Sequence, residues 1–324
     1  MPLLEPQHDF AHPVESDGAW SESYYFNAYD PVADAGFFTR IGIRPNEGTM
    51  DVGLSVWLPG GALAVVHGIR PQDVMTDADL AVAGVRYDRV RPMAEWRITA
   101  DAEVSIRDLA GDAAPRSARL RLEATFTALT PAIGVDGGPR PGAAAAATSA
   151  SVGKGHLEQA GRWTGSIELD GERHGLGAAR GNRDKSWGPR RWGGPRMWRW
   201  FSINVGDDVH FGGIRIGTDA GDLHRGWVWR DGAATSIRRW DVRTTLADDA
   251  LTHRVSDVRA TDARGRVHAL RADLLRVAPI AHPGRRTLIN EGLARWTYEG
   301  REGFGIAEYL HQLDADGRPL VAIE

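Results

Sequence analysis

Cysteine is absent from the 324 residues. Its absence removes disulfides, thiolate nucleophiles, iron–sulfur ligation and cysteine-based zinc sites together. Lysine is nearly absent: only Lys154 and Lys185 occur, so positive charge is almost entirely arginine. A high-GC coding bias accounts for that, as it does for the abundance of Ala and Gly. No uninterrupted apolar run approaches the length of a membrane span, so no integral membrane segment is expected. The stretch from Met1 to Phe10 carries Glu5, Pro6, His8 and Asp9 and no apolar core, so no signal peptide is expected and a cytoplasmic location is the default. A net charge of −4 leaves no basic footprint, which makes nucleic acid a poor partner. No Gly-x-x-x-x-Gly-Lys loop, His-Glu-x-x-His pair or Gly-x-Ser-x-Gly elbow occurs, and Gly175-x-Gly177 lacks a following helix. No cofactor is therefore expected. Helical periodicity is also scarce. Asp77–Val85 has room for one turn or two, and Asp108–Ser117 reads as a hairpin connection.

The dominant period is two. Trp20, Glu22, Tyr24 and Phe26 alternate with Ser21, Ser23, Tyr25 and Asn27. Val52–Leu58, Leu120–Phe126, Arg199–Val205, Val209–Ile216, His224–Trp229, Ser236–Arg243, His268–Val277, Ala294–Tyr298 and Phe304–Leu310 behave alike. Turn signals such as Pro59-Gly60-Gly61, Asp170-Gly171 and Asp231-Gly232 separate them. Short alternating strands at this spacing predict an all-β sandwich or barrel rather than a doubly wound α/β fold. Thr130–Ser151, with its Gly/Pro cluster and alanine run, reads as a flexible insertion. Two β-domains are expected, 1–192 carrying that insertion at 130–151, and 193–324.

Eight of the twelve tryptophans fall between Trp163 and Trp240. They serve either as core anchors or as walls of a pocket for a flat, greasy ligand. In the same region Gly181-Asn182-Arg183-Asp184-Lys185-Ser186-Trp187-Gly188-Pro189-Arg190 gathers two guanidinium groups, an ammonium, a carboxylate and an indole. In an extended chain Asp184 shares a face with Asn182 and Ser186, while Arg183, Lys185 and Trp187 face the other way. Asp184 is then either a clamp at a corner or an acid–base group. Arginines Arg190, Arg191, Arg196 and Arg199 interleave with Trp192, Trp198 and Trp200, a spacing suited to cation–π stacking. His156-x-Glu158 puts two possible metal ligands on one strand face. Two ligands fall short of a metal site, and no metal is expected.

Two further carboxylates sit on apolar faces: Glu22 with Trp20, Tyr24 and Phe26, and Glu308 with Phe304, Ile306 and Leu310. Facing inward, each would meet a low-dielectric wall that favours its neutral form, a proton donor. The competing reading makes each a structural ion pair with an arginine.

The run Arg183-Asp184-Lys185-Ser186-Trp187-Gly188, followed by Arg190 and Trp192, resembles the Arg-Asp-His-Ser-Trp-Gly motif of a lipocalin-like superfamily. That superfamily includes AttH-type proteins and the carotenoid 1,2-hydratase (hydroxyneurosporene synthase) family, and some fungal Diels–Alderases have a related architecture. His156-x-Glu158-Gln159 with Gly161, Gly175-x-Gly177 and Gly303-x-Gly305-x-x-Glu308 extend the resemblance along the chain, which looks most like uncharacterised bacterial members. The resemblance implies two lipocalin-like antiparallel barrels side by side around an apolar cavity. It also implies hydration, isomerisation or ring closure of isoprenoid- or polyketide-like substrates without a redox cofactor. The motif aspartate maps to Asp184 and its tryptophan to Trp187. Lys185 replaces the motif histidine, so a proton shuttle at that position is in doubt.

Asp184, Glu308 and Glu22 are thus the acid–base candidates. Trp20, Tyr24, Trp187 and Trp200 are expected to line the site. Arg183, Lys185 and Arg190 are expected to orient Asp184 or hold a polar end of a hydrophobic small-molecule substrate. A carrier of a lipophilic small molecule is the alternative function, since barrels bind such ligands without chemistry. A carbohydrate-binding module would require the tryptophans on an exposed flat face.

Overall fold

The structure, a computed structural model, describes residues 3–109, 114–281 and 286–324. Residues 110–113 of the expected hairpin connection lie outside them. The chain divides into two compact units. The first holds the described residues up to Gly137 together with Gly153–Arg190, and the second holds Gly138–Val152 and Arg191–Glu324. Both are all-β.

The first unit contains β1 (Trp20–Asp30), β2 (Ala35–Arg44), β3 (Thr49–Trp57), β4 (Ala62–Pro71), β5 (Leu80–Val82), β6 (Val85–Arg91), β7 (Glu95–Asp108), β8 (Arg116–Ala128), β9 (Ile133–Asp136), β10 (Gly155–Leu169), β11 (Glu172–Gly175) and β12 (Arg180–Pro189). Antiparallel pairing runs β1–β2–β3–β4–β7–β8–β10–β12 and returns to β1, so these strands close a barrel. Closure is uneven. The last residues of β7, Ser105–Asp108, pair with β4, whereas its start pairs with β6. At that end β4 and β7 part, and the β5–β6 hairpin stands beside the opening.

The helical expectation for Asp77–Val85 gives way to that hairpin. Ala83 (φ 49°) and Gly84 (φ 80°) both take left-handed backbone, which a two-residue hairpin turn demands. Leu80, Val82 and Val85 then bury themselves on the barrel.

Eight-stranded barrels are just wide enough for side chains to fill. Phe26 meets Trp96 at 5.5 Å, Tyr87 at 5.2 Å, Trp163 at 6.0 Å and Phe126 at 6.3 Å between ring centroids, all buried. These rings occupy the middle of the lumen, where an apolar cavity is the sequence-based expectation. The tryptophans there act as core anchors.

The second unit contains β13 (Met197–Val205), β14 (Val209–Thr218), β15 (Gly221–Arg230), β16 (Ala233–Leu246), β17 (His253–Asp262), β18 (Val267–Ala281), β19 (Thr287–Tyr298) and β20 (Arg301–Gln312). They form a closed up-and-down barrel, β20 returning to β13. Phe201, Phe211, Trp240, Trp296 and Tyr298 fill its interior. Residues 130–151 do not form one flexible insertion. Ile133–Asp136 is β9, paired with β10. Ala143–Ser151 is a helix, α1, in the second unit. Alanine has the highest helix propensity. Ser151 O accepts from Arg191 N at 2.7 Å, fastening the helix end.

Candidate functional site

Register decides which charged side chains of β12 face where. Phe26 pairs with Arg183, Tyr24 with Lys185 and Glu22 with Trp187, so all six occupy the lumen face of β1 and β12. The intervening Asn182, Asp184 and Ser186 lie on the outer face. Glu158 and His156 of β10 stand opposite Asp184 and Ser186.

On the lumen side, the chain before β1 crosses the opening and meets the charged residues one by one. Asp9, fully buried, accepts from Arg183 Nη1 at 2.5 Å and from Met93 N at 2.6 Å. Arg183 Nε donates to Gln159 Oε1 at 2.7 Å, and Gln159 donates on to Thr130 O and Met93 O. Lys185 Nζ donates to Glu22 Oε1 and, at 3.0 Å, to Phe10 O. His12 adds its backbone N–H to Glu22 Oε2 at 3.1 Å and its ring Nδ1 to Oε1 at 2.8 Å. Arg89 pairs with Asp77 and lies 4.1 Å from the Phe10 ring centroid. The Tyr24 hydroxyl donates to Asp77 at 3.2 Å. Burial first, then the Glu22 and Asp77 charges, push that phenol well above its usual range. Burial lowers Lys185, against the opposing pull of Glu22.

Trp187 completes this side. Its ring stacks on His12 at 3.8 Å, with His8 beyond, and the Lys185 ammonium lies 4.8 Å from its centroid. A Cβ on Gly155 would come within 1.9 Å of the indole, so the neighbouring strand has to be bare there. Glu22 thus points inward as expected, but a lysine neutralises it. Of the residues expected to line a substrate cavity or orient Asp184, Arg183, Lys185 and Trp187 are tied to residues 8–12 and Tyr24 to Asp77. Trp20 is buried under Lys154, whose ammonium lies 5.9 Å from its ring.

The outer face carries different chemistry. His156 Nε2 hydrogen-bonds Asp184 Oδ2, with a Glu158 oxygen 3.9 Å away. Burial works against the charged imidazole. Asp184, through charge and hydrogen bond, and then Glu158 outweigh it, leaving His156 above its ordinary 6.5. Side-chain exposure is 27% for His156 and 16% for Asp184, so the pair is sheltered yet reachable. Arg190 bonds Ser186 Oγ at 2.9 Å, and its charge acts against protonation of His156. Arg190 thus acts on the His156 side of β12, whereas Arg183 faces the lumen. Among the described residues, His156, Glu158 and Asp184 also bring three ligand atoms within 4.8 Å of one another, a set able to hold a divalent cation.

Glu308 belongs to the second unit. The lumen side of β20 carries Ala307 and Tyr309, so Glu308, Ile306 and Leu310 lie on the outer face. This corrects the inward expectation: both faces of β20 are apolar, and alternation alone does not say which is inside. Glu308 accepts from Trp198 Nε1 at 2.5 Å, and Trp200 stands next to it in register on β13.

The partners of the charged motif lie far from it in sequence. Asp9, His8 and His12 occupy a stretch with no periodicity, and Asp77 and Arg89 belong to the segment around the β5–β6 hairpin. His156 shows a signal, its two-residue spacing from Glu158, but only strand pairing couples it to Asp184.

This architecture defines an all-β protein of two eight-stranded antiparallel barrels. The chain belongs to the family described as a domain of unknown function, DUF7064, whose model matches residues 5–313. An AttH-like protein from Nitrosomonas europaea is similar in structure, with a TM-score of 0.66, 15% identity and coverage of 95% of this chain and 96% of that one. Kievitone hydratase from Nectria haematococca gives 0.59 at 11% identity, covering 89% and 88%. CghA gives 0.57 at 14%, covering 90% and 88%. At these identities the likeness is one of fold. No curated protein matches the sequence.

Proposed function

We propose that this protein is an acid–base enzyme of the hydratase or cyclase type, with His156 and Asp184 as its proton-transfer pair. The observation that carries the reading is the Asp184–His156 hydrogen bond on a sheltered outer face. A carboxylate that holds one imidazole nitrogen and favours the charged ring leaves Nδ1 to deliver a proton. Protonation of a polarised double bond or carbonyl makes an electrophile that water or an internal carbon nucleophile captures. Returning the proton to His156 resets the pair, so neither a redox cofactor nor a metal is consumed. Glu158 reinforces the charge, and Arg190 stands ready for a polar substrate end. The substrate is hydrophobic, of isoprenoid or polyketide-like type, in keeping with the resemblance of the charged motif and with a hydratase among proteins of this fold. Asp184 keeps its expected acid–base role, with His156 as the group it acts through. Glu22, locked to Lys185, is structural. Glu308 remains a second candidate on its own unit.

Native mass spectrometry of the freshly purified protein identifies a co-purifying small molecule, and turnover of that compound in D2O reports proton delivery. His156→Gln and Asp184→Asn are expected to lower kcat roughly 10²–10⁴-fold while ligand binding persists. Wild-type turnover in both variants would remove the pair from the mechanism. Binding retained with no turnover in the unmutated chain would favour the carrier.

A further inference from the structure

In β13, Arg199 is the one charged residue between Met197 and Val205. It shares the lumen face with Phe201 and Ile203 and is fully buried. Its Nη1 donates to Trp198 O at 2.8 Å and its guanidinium lies 4.2 Å from the Tyr309 ring centroid. Its Nε and Nη2 make no hydrogen bond among the described residues. His311, two residues along the same face of β20 from Tyr309, is 1% exposed, and neither ring nitrogen is bonded among the described residues. His253 stacks on Tyr309 at 4.0 Å, uses Nε2 on Ala307 O and leaves Nδ1 unbonded. Buried polar groups are normally hydrogen-bonded, and several unmet ones around a single tyrosine call for a partner.

The charge of that partner follows from the neighbours. Burial first, then Arg199, hold His311 down to about 3, and burial holds His253 down to about 4, so both rings are neutral. Arg215 stands directly across from Arg199 on β14. Asp222 at 2.7 Å and Glu324 already engage Arg215, so the unmet donors are those of Arg199, with the N–H of the neutral His311 ring beside them. A carboxylate already stands at its rim: Glu324 bonds Arg215 Nη1, and its other oxygen is 3.7 Å from Arg199 Nη2, too far for a hydrogen bond. Thr244 N donates to the main-chain oxygen of Glu324 at 2.5 Å, which fastens the backbone that carries this carboxylate.

We infer that the second barrel binds a small oxyanion, the carboxylate or phosphate of a soluble molecule, between Arg199 and His311, and that Glu324 stands in for it when the site is free. A guanidinium presents two parallel N–H groups that match such an anion. The neutral ring of His311 supplies a third donor. This site is separate from the His156–Asp184 pair and independent of the function proposed for it.

Isothermal titration of the whole protein with inorganic phosphate and with octanoate, at constant ionic strength, tests the inference. One saturable site is expected for at least one probe, and whichever binds identifies the oxyanion. Glu324→Gln is expected to tighten binding several-fold, because it removes the internal competitor. Arg199→Gln is expected to abolish it. Because that variant removes a buried group, imidazole nitrogen resonances in the unmutated chain provide a second reading. Those of His311 and His253 are expected to move on saturation. The inference is overturned if neither probe binds the unmutated chain or Glu324→Gln, if Glu324→Gln leaves affinity unchanged, or if binding leaves both histidines unmoved.

Discussion

Glu22 and Lys185, on adjacent antiparallel strands, form an ion pair inside the first barrel with side-chain exposures of 0% and 1%. The pair is offset in register: Glu22 faces Trp187 directly, and Lys185 faces Tyr24. Lys185 therefore reaches diagonally along the lumen, which a long flexible side chain permits. The motif position that resembles a histidine elsewhere is here a buried counter-charge. Breaking such a pair costs more than replacing it, because a lone buried charge remains.

From that asymmetry, Lys185→Met is expected to destabilise the protein by about 3–5 kcal/mol. The double variant Glu22→Leu with Lys185→Met is expected to recover most of the loss. Urea unfolding of the two singles and the double measures the coupling. Equal losses in the double and in Lys185→Met would mean that Glu22 is not held by Lys185.

His156 titrates above 6.5 because Asp184 and Glu158 favour its charged form over the effect of burial. A group whose folded value is raised contributes stability fully below about 6.5 and loses it as pH rises through the folded value. The same titration governs a reaction that uses the imidazolium as donor, so the rate is expected to fall across that range. Histidine resonances followed by NMR give the value directly. Asp184→Asn is expected to bring it below 6.5, because burial then acts without the carboxylate. An unchanged titration in Asp184→Asn would show that the pair does not form in solution.

His253 and His311 behave in the opposite sense. Burial lowers them to about 4 and about 3. Above about 6.5 neither is protonated in folded or unfolded chains, and no cost arises. As pH falls below that, the unfolded chain takes up protons that the folded barrel refuses, and stability drops until the folded values are reached. The denaturation midpoint is expected to fall steeply between pH 6.5 and 4. His311→Leu is expected to flatten the slope. A slope that His311→Leu leaves intact would place the titrating groups elsewhere.

Much of the architecture was written in local order. Alternation of apolar and polar residues, with glycine and aspartate at the turns, specified strands because a period of two puts one set of side chains on each face. The division of the charged decapeptide also followed from parity: Asp184 on one side, Arg183, Lys185 and Trp187 on the other. What parity leaves open is which side is inside. On β1 the face of Glu22 was the lumen; on β20 the face of Glu308 was the exterior. On β1 the apolar face turned inward, whereas β20 is apolar on both sides, so there the choice rested on how the sheet closes.

The tertiary structure alone decided the partners. Arg183 meets Asp9, Lys185 meets Glu22 and His12, and Asp184 meets His156, through contacts that span from 28 to 174 residues of sequence. A local pattern states what a side chain is and which way it points along its own strand. What neutralises a buried charge depends on the strand or crossing segment that arrives beside it, and that follows from barrel closure and register. The sequence by itself therefore determined strands, turns and the inventory of chemistry. Folding determined which carboxylate became a structural ion and which gained an imidazole.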